Sequence, residues 1–426
     1  MAHSRPLLHY TRNLIALTTG TVAFLIGLSF TDASTVLPSF AAHLTSSALL
    51  IGLLSTIGSG GWLLPQLIAA NYVADKPAKK PYVILPCLIG RPLYLVLALA
   101  TYLLAARQPL LMLVTLYAVQ AVFWVADGLA TPPWFDVLEK AIPGRRRNRY
   151  VGVSQVLGGV LAVGAGIIVR RILDPTQGLP FPTSYAALFA ISFAFYAIST
   201  LVQFVVVEPM EASAVTQRPT WRQYLPLLAT TLREDRPFRQ AIIARLLAGF
   251  GGMALPFYIL FGTDVLGLSA AIVGTSVTTQ MLGRVLGGVL LGAGGSKLGN
   301  RFTLLTGLGL TSLAPLLALV VGLLRHALDP SAFAYVLPLV FFFIGVSMNA
   351  VPWGFTNYVL DIAPPQSRPM YVGLTNTILG LLIVAPIIGG ALLQATSYVV
   401  LFAVSLGIFL ASTWLTWRLP VPPPRE

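Results

Sequence analysis

Pro143-Gly144-Arg145-Arg146-Arg147-Asn148-Arg149-Tyr150-Val151-Gly152 is a basic hinge that runs straight into an apolar stretch, and the chain uses it twice. Pro143, Arg147 and Tyr150-Val151-Gly152 return as Pro364, Arg368 and Tyr371-Val372-Gly373, each 221 residues further on. Pro133-Trp134, just upstream, returns as Pro352-Trp353 at an offset of 219, and Asp75-Lys76 lines up with Ser296-Lys297 at 221. Chance can supply one such match but hardly the set, so the chain reads as a duplication, two halves built to one plan.

Outward from the hinge, apolar runs occupy about 14 to 37, 48 to 70, 83 to 106, 109 to 133, 150 to 170, 184 to 207, 239 to 262, 270 to 292, 302 to 324, 334 to 358, 370 to 393 and 398 to 417. A bilayer core takes about 20 apolar residues per helical crossing, and an isolated segment in lipid satisfies its own backbone only as a helix. The chain of 426 residues is 56% apolar and 10% charged, with a mean hydropathy of +0.81, which leaves little room for a soluble domain. The fold predicted is an all-α integral membrane protein of twelve transmembrane helices in two pseudo-symmetric six-helix bundles. Residues 1–207 form the first bundle, 208–238 a linker and 239–426 the second. Arg5 and Arg12 precede the first run without a clear small-residue cleavage site, which predicts a retained span rather than a removed signal.

An even number of spans puts both ends on one side. Twenty of the 27 basic residues then share that side, only Arg107, Arg170, Arg171 and Arg325 fall opposite, and Arg91, Arg245 and Arg284 lie within spans. Basic loops mark the cytoplasm, so the sequence predicts cytoplasmic termini and linker, and a multi-pass protein of the plasma membrane, or of the inner membrane in a Gram-negative-type cell. The net charge of +13 is spread between apolar runs and forms no readout surface, which argues against nucleic acid. A single cysteine, Cys87, excludes an intrachain disulfide or a cysteine metal site. The four histidines sit at termini or in loops, and no intact phosphate-binding loop occurs, so neither an enzyme nor an ATP-driven pump is expected, and no cofactor or metal.

Two six-span halves in parallel orientation leave a cleft about a pseudo-two-fold axis, the geometry that lets halves rock around a midplane site. Here the chain resembles the major facilitator superfamily over essentially its whole length. The family's loop signature, roughly G-x-x-x-D-[RK]-x-G-[RK]-[RK], appears after span two as Asn71-Tyr72-Val73-Ala74-Asp75-Lys76-Pro77-Ala78-Lys79-Lys80, which keeps the acid and three bases but loses both glycines. After span eight, Gly292, Lys297, Gly299 and Arg301 are kept while Ser296 replaces the acid. The resemblance implies a cytoplasmic gate in which Asp75 caps helix ends or pairs with bases, with Lys76, Arg147, Lys297, Arg301 and Arg368 as the basic complement. It also places spans one, four, seven and ten around the cavity. The basic residue many relatives carry early in span four is missing around Tyr117 to Gln120, and span five lacks the antiporters' glycine-proline pair.

A charge inside lipid needs a cavity, a partner or a task. Asp32 lies in span one on a stripe with Thr18, Thr21, Ser29 and Thr35 that predicts a cleft-facing acid, with a helix-end role as the alternative. Asp127 in span four shares a face with Gln120, Trp124, Thr131 and Trp134, hydrogen-bonding groups between aromatic walls. Arg284 in span eight shares its face with Gln280, Gly287 and Gly288, at a depth within roughly 5 Å of Asp127. A salt bridge between Asp127 and Arg284 is therefore expected, with a static bridge inside one half or snorkelling as alternatives. Asn349 and Trp353 supply a polar-aromatic stripe in span ten, Trp353 doubling as a candidate interface residue. Pro256-Phe257-Tyr258 predicts a kink in span seven, and Arg91 and Arg245 are expected to snorkel.

These residues predict a secondary active transporter, a monomer in membrane lipid, that moves a small organic solute by alternating access with a proton, through Asp32 or Asp127, as the coupling ion. Sodium coupling and facilitated diffusion stay open. A lipid or lysolipid flippase and a non-transporting membrane sensor on the same scaffold are the other readings.

Overall fold

Every regular element among the described residues is helical, as hydrocarbon demands of a chain this apolar. The computed structural model describes residues 9–209, 230–364 and 367–420; most of the expected linker, 210–229, lies outside them. Twelve long helices run in order: α1 (Tyr10–Phe30, continued by a short helix Val36–Ala42), α2 (Ala48–Val73), α3 (Lys80–Leu104), α4 (Pro109–Ala141), α5 (Gly144–Leu173), α6 (Thr183–Val205), α7 (Arg236–Val265), α8 (Ala271–Leu298), α9 (Asn300–Leu324), α10 (Pro330–Ile362), α11 (Met370–Ala395) and α12 (Tyr398–Trp417). All but α8 contain a window long and apolar enough to cross a membrane, and α8 is itself 28 residues long.

The helices are inside out by the standard of a soluble protein. On α6 the buried positions include Ser184, Ser192, Ser199, Thr200 and Gln203, whereas Ile198, Leu201, Phe204 and Val205 point outward. Lipid solvates the apolar side, so helix association rests on small residues and hydrogen bonds rather than on hiding hydrocarbon.

Proline and polar side chains set the breaks. Pro92 has no N–H to bond the preceding turn, and α3 is interrupted at Arg91–Pro92 between Lys80–Gly90 and Leu93–Leu104. The expected kink in α7 is present: the α-helix ends at Gly251, a 3₁₀ turn covers Gly252–Ala254, and a π turn covers Phe261–Val265 beyond Pro256. In α11 a 3₁₀ stretch, Gly380–Val384, precedes Pro386.

Contacts divide the chain into two compact units. The first comprises Met1–Ser47, Leu53–Val215 and Ser269–Thr278, the second Ala48–Gly52, Thr216–Leu268 and Thr279–Glu426. Inside the first, Ser192 and Ser199 of α6 donate to the carbonyls of Gly27 (2.8 Å) and Gly20 (2.7 Å) on α1. Inside the second, Ser405 and Ser412 of α12 donate to the carbonyls of Gly251 and Ala244 on α7, the latter at 2.7 Å. Each pair of serines is seven residues apart, two helical turns, and meets carbonyls of small residues with the same spacing. Close approach makes this work: a Cβ on Gly27 would sit 2.7 Å from the Tyr196 ring, and one on Gly251 2.9 Å from the Phe409 ring.

Candidate functional site

The break at Pro92 ends the first half of α3 on Arg91, whose side chain turns into the first unit. Its Nη1 donates to the hydroxyls of Ser199 and Thr200, both at 3.1 Å. The guanidinium lies over the Phe24 ring, 5.1 Å from its centroid, and Nη2 stands 3.8 Å from Asp127 Oδ1 on α4. The two side chains are only 10% and 14% exposed. The cation seen beside Asp127 is Arg91, from its own unit, as in the alternative of a bridge inside one half. One expectation is corrected here: Arg91 does not snorkel, because hydroxyls, a ring face and a carboxylate solvate it inside the protein.

Beside this pair α4 builds a polar and aromatic wall. Gln120 is almost fully buried; its Nε2 donates to the Tyr94 hydroxyl and its Oε1 accepts from Trp124 Nε1, both at 3.0 Å. One amide thus fixes Tyr94 on α3 and the Trp124 indole together. Trp124 rests against the glycine face of α2, where Cβ atoms on Gly58 and Gly61 would lie 3.2 and 3.0 Å from it. Tyr94, Phe123 and Tyr196 close the far side with ring centroids 4.8 to 5.0 Å apart.

Arg91 and Asp127 are held differently. Among the described residues no hydrogen-bond donor reaches either Asp127 carboxylate oxygen, and the arginine beside it is beyond hydrogen-bonding range. Arg91 has two hydroxyl acceptors and the Phe24 face in addition to Asp127.

Asp32 has a different position from the one its stripe suggested. It is buried at the end of α1, and its Oδ1 accepts from Ser34 N (2.9 Å), Ser34 Oγ (2.5 Å) and Thr35 Oγ1 (2.9 Å), while its carbonyl accepts from Leu37 N. That is the helix-end alternative: the acid organises the turn into Val36–Ala42.

In the second unit, Gln280 is fully buried on α8 and donates to Met348 Sδ on α10 at 3.4 Å; Arg284 is half-buried one turn further on. The two helices touch through backbone: Cβ atoms on Gly345, Gly283 and Gly287 would lie 2.0, 2.1 and 2.5 Å from the carbonyl oxygens of Gln280, Phe342 and Val346. Asn349 is on α10, its side chain outside the described residues, and Trp353 is 64% exposed. Arg245 also does not snorkel; it lies over the Phe355 ring at 5.6 Å and reaches the Pro352 carbonyl at 3.3 Å.

At the α2–α3 loop, Asp75 is exposed and paired with its neighbour Lys76 at 3.3 Å. The acid on the helix ends is Glu208, just past α6, which the signature did not single out. Its carboxylate accepts from the backbone N–H groups of Lys79 and Lys80, the start of α3, at 2.8 to 2.9 Å, and from Lys140 Nζ at 2.8 Å. A carboxylate on a helix N-terminus neutralises both its unpaired donors and its positive dipole end. Lys79 Nζ binds the carbonyls of Val73 and Ala74 at the end of α2, and burial pushes its ammonium pKa down. Of the other expected gate residues, Arg147 meets Glu139 at 3.5 Å, Arg301 meets the Trp417 carbonyl, Arg368 is exposed at the start of the helical segment leading into α11, and the Lys297 side chain lies outside the described residues.

The sequence profile of the Major Facilitator Superfamily matches residues 19–382 and again 263–426. Among solved structures, a variant of the nucleoside transporter NupG is similar at a TM-score of 0.69 and 15% identity, covering 95% of this chain and 99% of that one. A bacterial homologue of the iron transporter ferroportin in an inward-facing state gives 0.69 at 14%, covering 96% and 98%. The D-xylose-proton symporter gives 0.66 at 14%, with the same coverage. No curated protein sequence matches the chain.

Proposed function

The chain belongs to the Major Facilitator Superfamily, and from that premise we propose that it is a secondary active transporter that moves a small, aromatic-compatible organic solute by alternating access, coupled to protons at Asp127. The observation that carries the proposal is the asymmetric pair: Asp127 lacks a hydrogen-bond donor, while Arg91 is fixed by Ser199, Thr200 and Phe24. A buried charge that loses its partner is costly, and those contacts lower that cost at the arginine, so protonation at Asp127 is the easier half of the exchange. Gln120 and Trp124 are the neighbouring groups that hydrogen-bond and stack the solute; in the second unit the candidates are Gln280, Arg284 and Asn349, each proposed on its own helix. A proton symporter of this fold exists among the similar structures, which supports the coupling by analogy alone.

The halves are taken as residues 1–207 and 239–426, with the linker and both termini in the cytoplasm of a plasma-membrane monomer. The test begins with a thermal-shift screen of nucleosides, pentoses and aromatic solutes on the purified chain. The solute found is then followed in liposomes. With Asp127→Asn, accumulation driven by an imposed pH gradient should fall at least about tenfold, the loss of one proton-linked step of about 1.4 kcal/mol, while gradient-free exchange persists. Unchanged gradient-driven accumulation in the variant would overturn the assignment.

A further inference from the structure

The second unit carries a hollow of about 600 Å³ at the ends of α7, α9 and α12, lined by Arg236, Pro237, Gln240, Arg301, Trp417 and Arg418, with Pro420 at its edge. Three arginines converge there, and among the described residues no carboxylate lines it. Two of the nearby acids are engaged elsewhere: Asp235 accepts from Phe238 N and the Tyr371 hydroxyl at 2.9 and 2.7 Å, and Asp361 accepts from the Asn300 amide at 2.5 Å, while Glu234, two residues before Arg236, is exposed. Among the described residues none of the three arginines has a carboxylate within ion-pair distance. Three like charges on one concave surface repel unless an anion lies between them.

Two of the guanidinium groups, those of Arg301 and Arg418, are held in place with donors to spare. Arg301 spends one nitrogen on the Trp417 carbonyl, and its Nε is buried without an acceptor among the described residues. Arg418 stacks on the Trp414 ring at 3.9 Å. A forked guanidinium binds phosphate oxygens bidentately, and a volume of this size is that of a small-ligand site.

The geometry points to this hollow as a binding site for a phosphate-bearing anion, and its position favours the headgroup of an acidic phospholipid as the source. Trp414 and Trp417 on the same helix end are 52% and 61% exposed, as aromatic residues are at the boundary between hydrocarbon and headgroups. A lipid reaching the hollow sideways would set its phosphate among the arginines with its chains alongside α12. The site is independent of the transport reading, which can fail without touching it.

The full chain, purified in detergent, is titrated with phosphatidylglycerol, with phosphatidylcholine and with inorganic phosphate while its thermal midpoint is recorded. Phosphatidylglycerol should raise the midpoint of the wild type and phosphatidylcholine should not. Each of Arg236→Gln, Arg301→Gln and Arg418→Gln should weaken the response about fivefold, the equivalent of about 1 kcal/mol per basic residue at a membrane surface. Arg236 and Arg418 are exposed, so their variants fold even if that of Arg301 does not, and Arg107→Gln on the α3–α4 loop controls for bulk charge. A full response to inorganic phosphate alone, lost in the same variants, supports the site with a soluble ligand. A phosphatidylglycerol response that survives in Arg236→Gln and Arg418→Gln, or that Arg107→Gln weakens equally, overturns it.

Discussion

The helices α4 and α10 begin as copies and end as opposites. Both run for 33 residues, both contain the repeated Pro-Trp pair, and both press glycine-level contacts onto a neighbour, Gly128 on α4 and Gly345 on α10. The offset of 219 that aligns Pro133 with Pro352 sets Gln120 against Leu339, Trp124 against Phe343 and Asp127 against Val346. Val346 packs with Leu291 and Ala350 in an apolar cluster, where its counterpart faces an arginine. The duplicated frame is thus kept in both halves, while at these three positions the polar chemistry stands on α4. Frame contacts tolerate no added volume, and the α4 polar positions had to be built into that frame without loosening it.

The frame is the easiest part to break. Gly345→Val and Gly128→Val put a Cβ 2.0 Å from the Gln280 carbonyl and 2.5 Å from the Trp62 carbonyl, so each should cost about 3 kcal/mol or more and remove most of the monodisperse protein seen by size-exclusion chromatography. If one half folded normally with its glycine filled, the claim of a shared frame would fail. Next in size is the ion pair. Arg91→Met leaves Asp127 without its cation and should destabilise the chain by about 1 to 3 kcal/mol, since the buried carboxyl neutralises by taking up a proton, whereas Arg91→Met with Asp127→Leu should return thermal stability close to wild type while transport stays lost. A double variant no more stable than the single one would show that Asp127 does not depend on Arg91. Smallest are the serine clamps: Ser192→Ala and Ser405→Ala should each cost about 1 kcal/mol, equal within error in thermal or denaturant unfolding, since the two halves use the same bond.

The spans and the duplication were legible because hydropathy and repeated landmarks are properties of short stretches. The pairing of Asp127 was not. The sequence matched Arg284 with Asp127 by depth and read Arg91 as snorkelling, and what that reading missed is which way Arg91 points. That direction depends on the interruption at Pro92, across which helical periodicity no longer reports a face. A usable signal was present in Ser199 and Thr200, polar residues on α6 with no partner of their own kind in the pattern, which are the hydroxyls Arg91 required. Asp32 misled in a similar way: α1 ends at Phe30, so the stripe does not reach Asp32, and Ser34 and Thr35 immediately after it spell a turn. Glu208 was hidden because it lies beyond the last apolar residue of α6, where sequence reading assigns loop, and only tertiary contact shows it on the start of α3.

That contact changes how force and length act on the chain. Glu208 fastens the strand leaving α6 to the entrance of α3 before residue 210 is reached, with Lys80 Nζ bound to the Phe204 and Val206 carbonyls as a second tether. Slack or tension introduced downstream is therefore absorbed at this knot and does not pull on α6. Lengthening the connector by a flexible insert, or cutting the gene there and co-expressing the two pieces, leaves the first piece with its own closed end.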